Sequence, residues 1–200
     1  PADFALAHRG GQRAGETVLV HGAAGGLGTA LVQRAKLVSA RLVAVVSSDE
    51  RATVARAAGA DETIAPDGFL EAVRALTGGR GVDVVADPVG GDRFTDSLRS
   101  LATDGRLLVL GFTGRSIPTV KVNRLLLTNT AVIGVAWGGL MATGAISPRD
   151  QWESLGDAVG TGPFRPPATT VHALADTPTA VASLDDRSAV GKLIIRMRED

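Results

Sequence analysis

Thr17-Val18-Leu19-Val20-His21-Gly22-Ala23-Ala24-Gly25-Gly26-Leu27-Gly28 is the stretch that decides the fold. Thr17 to Val20 is a β-branched, apolar run of the kind that makes a buried strand. Gly22, Gly25 and Gly28 follow at intervals of three. From Leu27 to Val38 the pattern changes to helical periodicity, with Leu27, Ala30, Leu31, Ala35 and Val38 near one face. Each glycine has a physical task in such a turn. One permits the tight exit from the strand, one lets backbone amides approach a pyrophosphate, and one lets the helix pack closely on the strand. The helix start then offers free N–H groups and a positive dipole end to phosphates. The segment therefore reads as a dinucleotide-binding turn. A Lys-Ser/Thr pair after the turn is missing, which argues against a P-loop nucleotidase.

Outward from this turn, apolar runs alternate with helical patterns. Leu42 to Val46, Glu62 to Ala65, Val82 to Ala86, Leu107 to Leu110 and Val132 to Ala136 read as strands. Arg51 to Ala58, Phe69 to Leu76 and Arg93 to Leu101 read as helices, as do residues near 2–9, and Gly59 reads as a C-cap. Strands apolar on both faces, alternating with helices, predict an α/β fold, a doubly wound parallel six-stranded Rossmann sheet. From about Gly162 the pattern changes. Pro163, Pro166 and Pro167 make an extended stretch, followed by a strand at Thr170–Leu174, a short helix at Pro178–Leu184 and a strand at Lys192–Ile195. These roughly 35 residues are too few to bury their own core and must pack on something else. The expected division is a dinucleotide-binding domain over 1–162 and a C-terminal segment over 163–200.

The second strand ends at Val46 with Ser47, Ser48 and, one helical turn on, Arg51. A carboxylate there would hold the ribose 2′-hydroxyl of NAD. Hydroxyls and a guanidinium instead suit a 2′-phosphate, and so NADP(H). Asp49 and Glu50 weigh on the other side, since either could turn toward the ribose, and Ser47 or Ser48 could simply cap the next helix.

Composition narrows the function classes. The 200 residues carry 21 Lys+Arg and 21 Asp+Glu, so no global field favours nucleic acid or an anionic membrane. No run of 18 apolar residues occurs, and the start lacks the pattern of a signal peptide. There is no Cys, and His8, His21 and His172 are scattered, so no bound catalytic metal is expected and a cytoplasmic location fits. No Ser/His/Asp constellation or carboxylate pair stands out; the catalytic residues are unassigned. His21 reads as a packed, hydrogen-bonded residue, and Asp87 before Pro88 as a turn former.

The ordered set Val18–Gly28, Ala58-Gly59-Ala60-Asp61, Gly81–Val85, Asp87-Pro88-Val89-Gly90-Gly91, Gly105-Arg106-Leu107 and Gly191-Lys192-Leu193-Ile194 resembles the zinc-independent quinone oxidoreductases, the zeta-crystallin-like group of the medium-chain dehydrogenase/reductase superfamily. The resemblance runs over essentially the whole chain. It implies NADPH-dependent hydride transfer to quinones or activated α,β-unsaturated carbonyl compounds, with a substrate cleft shared with an N-terminal barrel-like domain to which the tail returns. It also implies a homodimer in full-length form, for which the apolar edge Val132–Val135 is suited. That first domain is absent here, and the chain starts without Met inside a predicted helix. A fragment is therefore expected, weak or inactive as an enzyme on its own. Ser39 stands where the family often has a helix-ending Gly.

Carried across residue by residue, the resemblance puts Gly22, Ala23, Gly25, Gly26, Leu27 and Gly28 at the pyrophosphate and Ser47, Ser48 and Arg51 at the 2′-phosphate. Pro88, Val89, Gly111 and Phe112 fall in the loops around the adenosine and nicotinamide, and Val135 and Trp137 border the nicotinamide. Lys192 either reaches the cleft or is a solvated strand-end lysine. Two other readings stand beside the leading one: an enoyl reductase domain of a polyketide synthase, and a non-catalytic module that senses NADPH.

Overall fold

The computed structural model describes residues 1–38, 40–160, 164–165, 169–186 and 188–198. Six strands form one parallel sheet: β1 (Thr17–His21), β2 (Arg41–Val45), β3 (Glu62–Ile64), β4 (Val82–Asp87), β5 (Leu101–Val109) and β6 (Ala131–Gly134). Their order is β3-β2-β1-β4-β5-β6. β1 pairs with both β2 and β4, so the chain reverses its direction of travel across the sheet beside the Gly turn. In an open sheet of this kind, ligands bind in the crevice that such a reversal leaves at the carboxyl ends of the strands. The expected α/β doubly wound sheet is present, strand for strand.

Successive strand side chains point to opposite faces, and both faces are dry. Val18, Val20, Leu42 and Ala44 pack on one side with Leu31, Val32 and Ala35 of α1 (Gly26–Lys36), Ala52 and Ala55 of α2 (Asp49–Ala57), and Leu6 of a π-type helix at Phe4–Arg9. Leu19, Val43, Val85 and Leu107 pack on the other with Phe69 and Val73 of α3 (Phe69–Leu76) and Phe94 and Leu98 of α4 (Phe94–Arg99). The amino edge of the sheet is tied by Arg106, whose guanidinium pairs with Glu16 at 2.7 Å and donates to the Gly10 and Gly11 carbonyls.

Several boundaries differ from the sequence reading. α2 starts at Asp49, two residues early, because Ser48 is its N-cap and accepts the Arg51 amide at 3.3 Å. Its C-cap is Ala58, with Gly59 following at φ 111°. The helix expected over Arg93–Leu101 is a 3-10 turn, Gly91–Arg93, followed by α4 and ending at Arg99. β5 begins at Leu101 rather than Leu107, and its pairing with β4 is irregular, the register slipping between Val82 and Val84. β6 ends at Gly134, with the Val135 amide still bonded to the Val109 carbonyl.

Helices α5 (Asn123–Thr128), α6 (Trp137–Ala142) and α7 (Pro148–Gly160) carry no expectation from sequence. The Leu125-Leu126-Leu127 run has no amphipathic stripe to announce the first. In the tail, β7 (Thr169–Ala173) and β8 (Lys192–Arg196) form a separate two-stranded parallel sheet joined through α8 (Thr177–Asp185). The expected proline stretch at 163–167, the boundary at 162 and the Ser39 cap lie outside the described residues, apart from 164–165.

Candidate cofactor cleft

At the carboxyl ends of β1, β2 and β4 lies a cleft of about 560 Å³. Its floor is the Gly turn. Gly22 leaves β1 with φ 59°, a conformation that disfavours any side chain. Gly25 is the N-cap of α1 and no side chain caps that end, so the amides of the first turn have no intrahelical acceptor. Gly28 has the tightest requirement. A Cβ there would sit 2.1 Å from the Gly22 carbonyl oxygen, so only glycine lets α1 close on the strand exit. Gly22 thus permits the tight strand exit and Gly28 the close helix packing that their spacing predicts. Gly22, Gly25, Gly26, Leu27 and Gly28 all line the cleft, whereas Ala23 is buried in the core beneath it.

On the β2 side the cleft is lined by Val45, Val46, Ser47 and Arg51. The Arg51 guanidinium donates to the Ala189 carbonyl at 2.8 Å. Ser48 is turned to the helix cap and does not line the cleft. Asp49 and Glu50 form the exposed first turn of α2, and no carboxylate is among the described lining residues. On the β4 side, Asp87 is buried and its Oδ1 accepts the Val89 and Gly90 amides at 2.8 and 2.9 Å. This fixes the turn that presents Pro88 and Val89 to the cleft.

The remaining expected positions fall outside the lining. Gly111 packs its backbone on Pro88, and Phe112 lies beside Gly90 and is 42% exposed. Thr113, the next residue, lines the cleft instead, its amide and hydroxyl both donating to the Pro88 carbonyl. Trp137 Nε1 donates to Gln151 at 2.7 Å. Val135 and Lys192 do not line the cleft either, and Lys192 is exposed at the start of β8. Its neighbour Gly191 pairs with Gly25 in an isolated parallel bridge, its amide donating to the Ala24 carbonyl at 3.2 Å.

Sequence reasoning passed over His21, Ala24, Pro66, Arg93, Ser183, Leu184 and Ala189 as lining residues. The tail contribution had a signal: a segment with no core of its own must dock, and Gly191-Lys192 was already in the set of matched motifs. His21 is packed as its position predicts, with Nε2 2.9 Å from Ser97 Oγ and its ring edge-on to Phe69. Burial holds the imidazole below its ordinary value, Asp87 pulling the other way.

These features define a dinucleotide-binding domain of the kind found in medium-chain dehydrogenases and reductases. The family of zinc-binding dehydrogenases matches residues 26–156, and the chain belongs to it. It is 36% identical to the quinone oxidoreductase-like protein 2 of Bos taurus, over 98% of this chain and 57% of the bovine protein. A mycobacterial protein solved in complex with NADPH superposes with a TM-score of 0.87 at 32% identity, over 98% of this chain and 61% of that one. A highly reducing polyketide synthase of Cordyceps militaris is 27% identical over 98% of this chain and 8% of the synthase. The chain thus spans about three-fifths of the length of its oxidoreductase relatives. The family name implies zinc, but the chain has no Cys, and among the described residues no three His, Asp or Glu side chains converge. The described residues do not fit that metal.

Proposed function

We propose that this chain is the cofactor-binding portion of an NADPH-dependent, zinc-independent oxidoreductase that reduces quinones or activated enones. The observation that carries the reading is the cleft itself. It joins the uncapped start of α1, a hydroxyl at Ser47 and a guanidinium at Arg51, with no carboxylate among its lining residues. That chemistry suits a ligand bearing a pyrophosphate and a further phosphate. The names of the bovine and mycobacterial relatives support quinone chemistry and NADPH respectively.

NADPH, once bound, supplies the hydride. The chain's own residues bind and orient it. Gly26, Leu27 and Gly28 would turn their amides to the pyrophosphate, with Gly25 lining it, and Ser47 and Arg51 would hold the 2′-phosphate. Pro88, Val89 and Thr113 would wall the cleft and exclude water. Residues 163–200 are read as the segment that returns to a catalytic domain, and the β6 edge as the seam of a homodimer. Among the described residues no helix is long and apolar enough to cross a membrane, and a cysteine-free chain suits the reducing cytoplasm, where we place it.

Titration of the chain with NADPH and with NADH, followed by nicotinamide fluorescence, tests the reading. NADPH should bind more tightly, and Arg51→Ala should remove most of the difference. Equal or tighter binding of NADH would overturn the 2′-phosphate assignment.

A further inference from the structure

The cleft holds a second cation with no evident structural task. Arg93 closes the 3-10 turn Gly91–Arg93, opens α4, and lines the same cleft as Ser47 and Arg51. α3 and α4 share one core cluster through Phe69, Val73, Phe94 and Leu98. Arg93 therefore stands beside the start of α3, with Nη2 3.3 Å from Asp67 Oδ1. Pro66, one residue before that carboxylate, also lines the cleft. The guanidinium thus lies along the wall made by the loops after β3 and β4.

The fold gains little from this arrangement. A cation at the start of a helix opposes the helix dipole. Its partner Asp67 has a side chain 95% exposed, and ion pairs of that kind contribute little. An anion in the cleft would offset both. The strand order puts Arg51, after β2, and Arg93, after β4, on either side of the Gly turn. The gap is two strand spacings, about 10 Å, which two long side chains approaching from opposite sides can close.

Building on the NADP(H) reading of the cleft, we infer that Arg93 is a second phosphate-reading residue, which leaves Asp67 and joins Ser47 and Arg51 on the 2′-phosphate of the bound adenosine. Two guanidinium forks and a hydroxyl then share the oxygens of one phosphate group.

Calorimetric titration of the chain with 2′,5′-ADP and with AMP isolates the 2′-phosphate, the only group by which the two differ. Arg93→Ala should weaken 2′,5′-ADP about tenfold, a charge-assisted hydrogen bond's worth, and leave AMP within about twofold. Arg93→Lys should recover part of the loss. Asp67→Asn, which frees the guanidinium without touching it, should tighten 2′,5′-ADP and not AMP. Equal losses for both ligands on Arg93→Ala would make Arg93 a wall for the base, and unchanged 2′,5′-ADP binding would make it a surface charge; either overturns the inference. A parent chain that binds AMP as well as 2′,5′-ADP, or neither, would overturn the reading of the cleft and this inference with it.

Discussion

The chain up to β5 and the chain beyond it are built differently. Among the described residues, all the buried hydrophobic ones lie at or before Leu108, apart from Ala180. All the described exposed large hydrophobic residues lie at or after Phe112, among them Ile117, Val122, Leu126, Leu127, Val171 and Met197. The first region is a sheet with two dry faces, a complete core by itself. The second presents apolar surface of the kind that a neighbouring domain or subunit covers. The cleft sits on the first region, at the carboxyl ends of β1, β2 and β4, and takes one wall, Ser183, Leu184 and Ala189, from the second. The cleft and the core are thus concentrated in one part of the chain, and exposed apolar surface in the other.

Truncating one leucine in each region would break this comparison most directly. Leu19→Ala, fully buried in β1, should cost about 2–5 kcal/mol in chemical denaturation. Leu126→Ala, 83% exposed in α5, should shift stability by less than about 0.5 kcal/mol. Similar losses would mean that the second region has a core of its own.

Glycines sharpen the same contrast. Gly28→Ala drives a Cβ into backbone, and should weaken NADPH binding at least about tenfold as the turn shifts. Gly138→Ala, in α6 with open space around it, should stabilise the chain by about 0.5–1 kcal/mol. Thermal melts and the NADPH titration read both.

A smaller effect is expected from His21, buried beneath the cleft. Its folded pKa lies below the unfolded value of 6.5, so below that pH the unfolded chain binds more protons than the folded one. Stability should therefore fall as pH drops through 6.5 toward the folded value. His21→Gln should flatten that slope, and an unchanged slope would mean that other groups carry it.

Legibility followed the same division. The first region could be read from sequence because strand and helix periods repeat there, and because Gly22 and Gly28 meet a conformational and a steric demand at the spacing that such a turn requires. Ser47, Arg51, Pro88 and Val89 follow from strand ends, where ligands of this fold gather. Ser48 was ambiguous because a hydroxyl before a helix can face a ligand or cap the helix, and here it caps. Gly111 and Phe112 missed the lining by one residue, since the cleft is reached at Thr113, whose place depends on a bond to the Pro88 carbonyl. Arg93 and Pro66 were hidden because they come to the cleft through contacts between elements distant in sequence, and of the tail only the need to dock was legible, not the residues that reach the cleft. Lys192 rested on the family resemblance, and Val135 and Trp137 on the resemblance and their place at the end of the sixth strand; none lines the cleft of this chain.

We propose above all that the Gly turn and the end of β2 hold NADP(H). An amide-resolved NMR titration of the ¹⁵N-labelled chain with NADPH tests it most directly. The largest shifts should fall on Gly25, Gly26, Leu27, Gly28 and Ser47, with a second set on Ala189 and Gly191, and NADH should move Ser47 much less. Shifts concentrated instead around the separate cavity lined by His172, Leu174, Arg196 and Arg198, with the Gly turn unmoved, would contradict it.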